Sequence, residues 1–126
     1  MPGRTKAPTD EELMKLVAPV VEALRRAEQP EPAALKDAVK ALAAVLAERH
    51  PGRTVEARIP PYAAVQCLEG PRHTRGTPPN VVEADPIAWV ELCTGLQGWS
   101  VLVRDGRIRA SGERADLSGL VPLLVL

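Results

Sequence analysis

The sequence has no phenylalanine, and its only aromatic residues are Tyr62, Trp89 and Trp99. A core must therefore be built from Ala, Val and Leu, with the two tryptophans as its largest members. The same scarcity argues against a stacking platform for nucleotide bases. Net charge is missing too, with 16 basic residues against 16 acidic ones. Without a basic surface interleaved with aromatics, nucleic acid is not expected as a partner. Cysteine is scarce. Cys67 and Cys93 show neither CxxC spacing nor a metal-ligand pattern, and read as buried free thiols in a reducing cytoplasm. Long apolar runs are also absent. The first apolar segment, residues 13–24, is interrupted by Lys15, Pro19 and Glu22 and lacks the core of a secretory signal. No stretch approaches the roughly 20 apolar residues of a membrane-spanning helix, so integral membrane association is not expected.

What is present suits one globular domain over residues 1–126, with 45% hydrophobic and 25% charged residues. Residues 1–8 read as a flexible tail. Thr9 and Glu12 make a capping box, and Asp10 and Glu11 complement the start of a helix. Leu13, Leu16, Val17, Val20, Val21 and Leu24 recur at helical spacing, with Pro19 off the stripe as a kink. A Pro-rich break leads to a second stripe of Leu35, Ala38, Val39, Leu42 and Leu46. Arg49-His50-Pro51-Gly52 is a stop signal, closing a helical pair over residues 9–50.

The period changes after Arg53. Val55, Ala57 and Ile59 alternate with Glu56 and Arg58, the pattern of a half-buried strand. Residues 62–68 are mostly small and apolar, as in a central strand covered on both faces, and residues 80–84 read as a third strand. Asp85 and Pro86 open a helix that buries Trp89, Leu92, Cys93 and Leu96, and Gly95 and Gly98 end it. Residues 99–111 fit either a hairpin turning at Asp105-Gly106 or a short helix followed by a strand. Asp116 can cap a terminal helix carrying Leu117, Leu120, Val121 and Leu124. Trp89 and Trp99 are both expected to be largely buried.

The segment from Glu69 to Glu83 stands out. Gly70, Pro71, Gly76, Pro78 and Pro79 forbid continuous secondary structure through it. Arg72, His73 and Arg75 cluster there with no acid between the two glutamates, and Thr74, Thr77 and Asn80 add hydrogen-bonding groups. Such a loop suits an anion or the charged end of a larger molecule. It equally suits a rigid lid whose arginines pair with Glu69, Glu83 or helix C-terminal carbonyls.

Catalytic arrangements were sought. A Cys–His pair would require Cys67 with His73 or His50, and no third orienting group is evident. Ser100, Ser111 and Ser118 lack a nucleophile elbow, and the glycines match no phosphate-binding loop. Glu69 and Glu83 could meet as an acid–base pair, although structural carboxylates are the simpler role. Two histidines far apart make a poor metal site.

The stretch PPYAAVQCLEGPRHTRGTPPNVVEADP, residues 60–86, resembles the actinobacterial sterol carrier family proteins, bacterial relatives of the sterol carrier protein type-2 fold. DGRIRASGERADLS, residues 105–118, resembles the same family, and the likeness covers roughly residues 53–125. It implies an α+β domain of two layers: a mixed, mainly antiparallel sheet of about five strands with helices on one face, after the N-terminal helix pair. It favours the helical reading of residues 99–104. It also implies an apolar cavity used for lipids elsewhere in the superfamily.

On this basis the leading expectation is a non-enzymatic carrier of a small hydrophobic or amphipathic molecule, with no catalytic residue, metal or cofactor. Trp89, Leu92, Leu96, Trp99, Leu102, Leu120 and Leu124 would line the apolar part. Arg72, His73, Thr74, Arg75, Thr77 and Asn80 would lie near a polar head, with Glu69 and Glu83 as structural carboxylates. The alternatives are a protein-interaction or regulatory module with a filled core, in which a protein partner or a second copy binds, and an enzyme acting on an anionic metabolite.

Overall fold

Thr9 begins the first helix as its side chain promises. Its Oγ1 accepts from the Glu12 N–H at 3.2 Å, and Glu12 Oε1 accepts from the Thr9 N–H at 2.9 Å. That reciprocal cap, worth about 1 kcal/mol, holds the Glu12 carboxyl below its ordinary range through the bond from the Thr9 backbone. The computed structural model describes residues 6–70 and 80–126. The elements are α1 (Asp10–Arg25), α2 (Pro32–Arg49), β1 (Val55–Ile59), β2 (Ala63–Cys67), β3 (Val81–Ala84), α3 (Pro86–Thr94), α4 (Trp99–Arg104) and β4 (Ile108–Ser111).

Helix α1 runs through the exposed Pro19 and buries Leu13, Val17, Val20 and Val21. Leu16 was expected on this stripe but faces solvent. Helix α2 buries its whole expected stripe and also Ala41, Ala43 and Val45. The wider burial follows from its place, since α2 packs against α1, β2 and α3. No helix among the described residues is long and apolar enough to cross a membrane.

The sheet has the order β2-β1-β3-β4. β1 pairs antiparallel with β2 from Val55↔Cys67 to Ile59↔Ala63, and parallel with β3 from Glu56↔Val81 to Arg58↔Glu83. β4 lies antiparallel to β3, with Ala84 opposite Ile108. Side chains alternate across a strand, so this register puts Cys67, Val55, Ala57, Ile59, Val82, Ala84 and Ile108 on one buried face. Gln66, Glu56, Arg58, Glu83 and Arg109 fall on the other, where Arg58 pairs with Glu56 and Arg109 with Glu83. The helices therefore share the first face, and the buried residues of both layers form one hydrophobic cluster.

Three expectations need correction. The described sheet has four strands, not about five. β2 is an edge strand with Ala64 and Gln66 exposed, because its residues are covered by α2 on one face alone. Residues 116–124 form no helix. Asp116 Oδ1 turns the chain by accepting from the Ser118 N–H at 2.8 Å. Pro122 has no N–H to continue a helical ladder, and the Leu123 and Leu124 N–H groups donate to the Cys93 carbonyl at 2.8 and 3.2 Å. The segment becomes an irregular strap that turns at residues 118–120, held further by Arg49 to the Leu123 carbonyl at 2.7 Å and Arg25 to the Leu126 carbonyl at 2.9 Å.

Helix α3 opens as expected, with Asp85 Oδ1 accepting from the Ala88 N–H at 2.7 Å, and ends at Gly95 in the left-handed conformation. Residues 99–104 take the helical reading. The Gly106 and Arg107 N–H groups donate to Val103 and Leu102, each at 3.0 Å, which closes α4 instead of a hairpin.

Trp89 is fully buried and its indole N–H has no hydrogen-bond partner among the described residues. Trp89→Phe therefore gives up volume but no hydrogen bond, and should cost about 1–2 kcal/mol against about 3–5 for Trp89→Ala. Urea unfolding of the two variants checks this; equal losses would mean that the indole nitrogen does have a partner.

Candidate functional site

Both ends of the conspicuous loop converge on Thr54. Gly52 precedes it at φ +150, and a Cβ there would sit 1.8 Å from the Leu68 carbonyl oxygen, so only glycine lets the two chains approach. The Thr54 N–H donates to that carbonyl at 3.1 Å, and the Leu68 N–H donates to His50 at 2.8 Å. On the far side of the loop, Asn80 Nδ2 donates to the Thr54 carbonyl and Asn80 Oδ1 accepts from the Arg114 N–H, each at 2.9 Å. Asn80 is buried, so both ends of its carboxamide are spent on backbone. Arg72, His73, Thr74, Arg75 and Thr77 lie outside the described residues, and with them the choice between an anion loop and a lid.

Glu83 Oε2 accepts from Arg109 at 2.7 Å, and Glu69 is exposed; the pairing of either with Arg72 or Arg75 lies outside the described residues. A stronger ionic knot, not singled out in the sequence, joins Arg107 to Glu91 at 2.6 Å and to Asp85 at 3.5 Å. Burial opposes the Arg107 charge, but the bonds to Glu91 and Asp85 outweigh it and raise its pKa. The knot ties the residue before β4 to α3 and to the cap ahead of it.

The thiols are quiet. Burial pushes Cys67 up from an ordinary 9.0 to about 11, and Cys93, enclosed completely, lies well above its ordinary range. A thiol nucleophile needs the opposite shift. Among the described residues, no group of three His, Cys, Asp or Glu side chains could hold a metal ion.

Where α3 ends, α4 begins and the strap crosses, the surface opens into a groove of about 330 Å³. Leu92, Trp99, Val101, Val121 and Pro122 supply its apolar walls. Gln97, Ser100 and Ser118 supply neutral polar groups, and Gly95 and Gly98 leave the space open. Of the expected apolar lining, Leu92 and Trp99 are in the groove. Trp89 and Leu102 are fully buried in the core, and Leu96, Leu120 and Leu124 pack against that core from partly buried positions. Trp99 is partly buried and packs against the core cluster, in keeping with the burial expected of it, while its outer part lines the groove. Gln97, Ser100 and Ser118 escaped the sequence reading. The two glycines flanking Leu96 and Gln97 signalled only a helix end, and Pro122 was placed inside a helix it cannot join.

The arrangement defines an α+β domain with an open groove at one helix corner whose lining, among the described residues, is uncharged. Residues 31–123, well over half the chain, match the family described as bacterial SCP ortholog, and the chain belongs to this bacterial sterol carrier protein-like family. No curated protein gives a significant match.

Two measurements check this geometry. Asn80→Ala strands the buried Thr54 carbonyl and the Arg114 N–H and should cost about 2–3 kcal/mol in denaturant unfolding. A loss under about 0.5 kcal/mol, the size of a surface effect, would show that the clamp is dispensable. At pH 8 both thiols should resist an aromatic disulfide reagent in the native protein and react at once in denaturant. Fast native labelling of Cys93 would contradict its enclosure.

Proposed function

We propose that this protein is a non-enzymatic carrier of a small amphipathic molecule, taken up in the groove between α3, α4 and the terminal strap. The observation that supports the reading is the composition of that groove. An apolar wall built around the half-exposed Trp99 faces three neutral polar side chains, which is the division of labour found in small-molecule sites. Family membership agrees with lipid carriage. Carriage is favoured over catalysis because both thiols are held protonated and Glu83 is tied to Arg109. The apolar part of the ligand lies on Trp99, Val101, Val121 and Pro122, and its polar end meets Gln97, Ser100 or Ser118.

Gly98 provides a clean test. A Cβ added there meets nothing within 4 Å, and its φ of −84 suits any residue. Gly98→Leu should therefore fold without a clash, with a Tm lowered only by the poorer helix N-cap, while adding bulk to the groove lining. In a Trp89→Phe background, where Trp99 is the single tryptophan, 1-decanol should shift its emission to the blue. Gly98→Leu should abolish that response. No response in the open-groove protein, or the same response in both, would remove the groove as the carrier site.

A further inference from the structure

We infer that the groove selects a small neutral amphipath, such as a medium-chain alcohol, amide or ester, in preference to a free carboxylate, a phosphate or a complete sterol. The inference rests on the carrier reading above and names its ligand class. Size is the first argument. About 330 Å³ lies at the small end of the roughly 300–1,000 Å³ range of ligand pockets. A four-ring sterol with its side chain would overhang so small a groove and leave much of its apolar surface in water.

Charge is the second argument. Among the described residues that line the groove none is charged, and Gln97, Ser100 and Ser118 are its polar groups. Amide and hydroxyl groups satisfy an alcohol, an amide or an ester carbonyl by exchanging hydrogen bonds with it. They give a desolvated anion no compensating cation, and burying an unpaired charge is far more costly than burying a hydroxyl. An exposed charge beside the groove wall has the wrong sign for an anionic ligand. Asp116 accepts from the Ser118 N–H at 2.8 Å, and the Ser118 side chain, with that backbone bond, holds its carboxyl below the ordinary range. Repulsion from Asp116 adds to the desolvation cost of a carboxylate.

Two arginines of the neighbouring elements are committed elsewhere, and Arg104 at the end of α4 is outside the groove lining and lies 3.9 Å from Asp105. Arg49 holds the Leu123 carbonyl and Arg107 holds Glu91 and Asp85. Neither guanidinium is available for a headgroup without breaking the contacts that shape the site.

The experiment is a titration at pH 7 of the Trp89→Phe protein with 1-decanol, decanamide, decanoate, decyl phosphate and a water-soluble sterol, each below its aggregation limit, read by Trp99 emission and repeated with Gly98→Leu. The expected result is binding of decanol and decanamide, at least about tenfold weaker binding of decanoate and decyl phosphate, as expected for an unpaired buried charge, and no sterol response. Asp116→Asn should narrow the gap between decanol and decanoate, while Ser118→Ala should weaken decanol itself. Decanoate binding as tightly as decanol, with both blocked by Gly98→Leu, overturns the neutral-ligand inference and leaves the carrier reading standing. Sterol binding that Gly98→Leu blocks overturns the size limit in the same way. Silence with every probe overturns this inference and the carrier reading together.

Discussion

The buried carboxamide of Asn80 joins three segments that are far apart in sequence. It holds the Thr54 carbonyl ahead of β1 and the Arg114 N–H beyond β4, while the Asn80 backbone carbonyl accepts from the Glu56 N–H at 2.9 Å. Those bonds fix where β3 starts beside β1, and the parallel register of the pair follows. With β3 set, Asp85 caps α3 at one place and not a residue later. A one-residue slip would turn Val82 and Ala84 out of the core and bring Glu83 into it. A single buried polar side chain, bonded at both its nitrogen and its oxygen, thus specifies the arrangement that the apolar cluster stabilises.

The groove is a consequence of how the helix layer ends. α3 stops at Gly95, α4 sets off from Gly98, and the Arg107–Glu91–Asp85 knot holds the turn after α4 against α3. The strap closes the third side because the Cys93 carbonyl, left open at the end of α3, receives two N–H donors from it. A continuous terminal helix would have satisfied its own N–H groups and left that carbonyl unmet. The space between three such pieces is bounded by side chains of modest size. For that reason Trp99, at its edge, stays half-exposed while Trp89, one helix earlier, is enclosed.

Local chemistry made much of this legible in the sequence. The Thr9 and Asp85 caps, the stops after Arg49 and at Gly95, the alternation in β1 and the stripe of α2 all depend on near neighbours, and all stand where the residues indicated. Long-range terms were not legible. Small apolar residues at 62–68 fit an edge strand under a helix as well as a central one, since both hide a similar apolar face. Leu117, Leu120, Val121 and Leu124 are spaced like a helix, yet bonds to Cys93, Arg49 and Arg25 decide their path. The same holds for the site. Gln97, Ser100 and Ser118 meet only because the strap folds back. Asn80 looked like a ligand group because its hydrogen-bonding capacity is visible in sequence while its partners are not.

The central claim is that the groove at the α3–α4 corner is where this protein meets its ligand. Mapping backbone and side-chain amide shifts by NMR as 1-decanol is added tests it most directly. The account predicts changes grouped at Gly95, Gln97 to Val101, Ser118 and Val121, with the Gln97 side-chain amide and the Trp99 indole among them, and quiet resonances across the polar face of the sheet. Changes centred on Glu56, Arg58, Glu83 and Arg109 with a silent groove would contradict it.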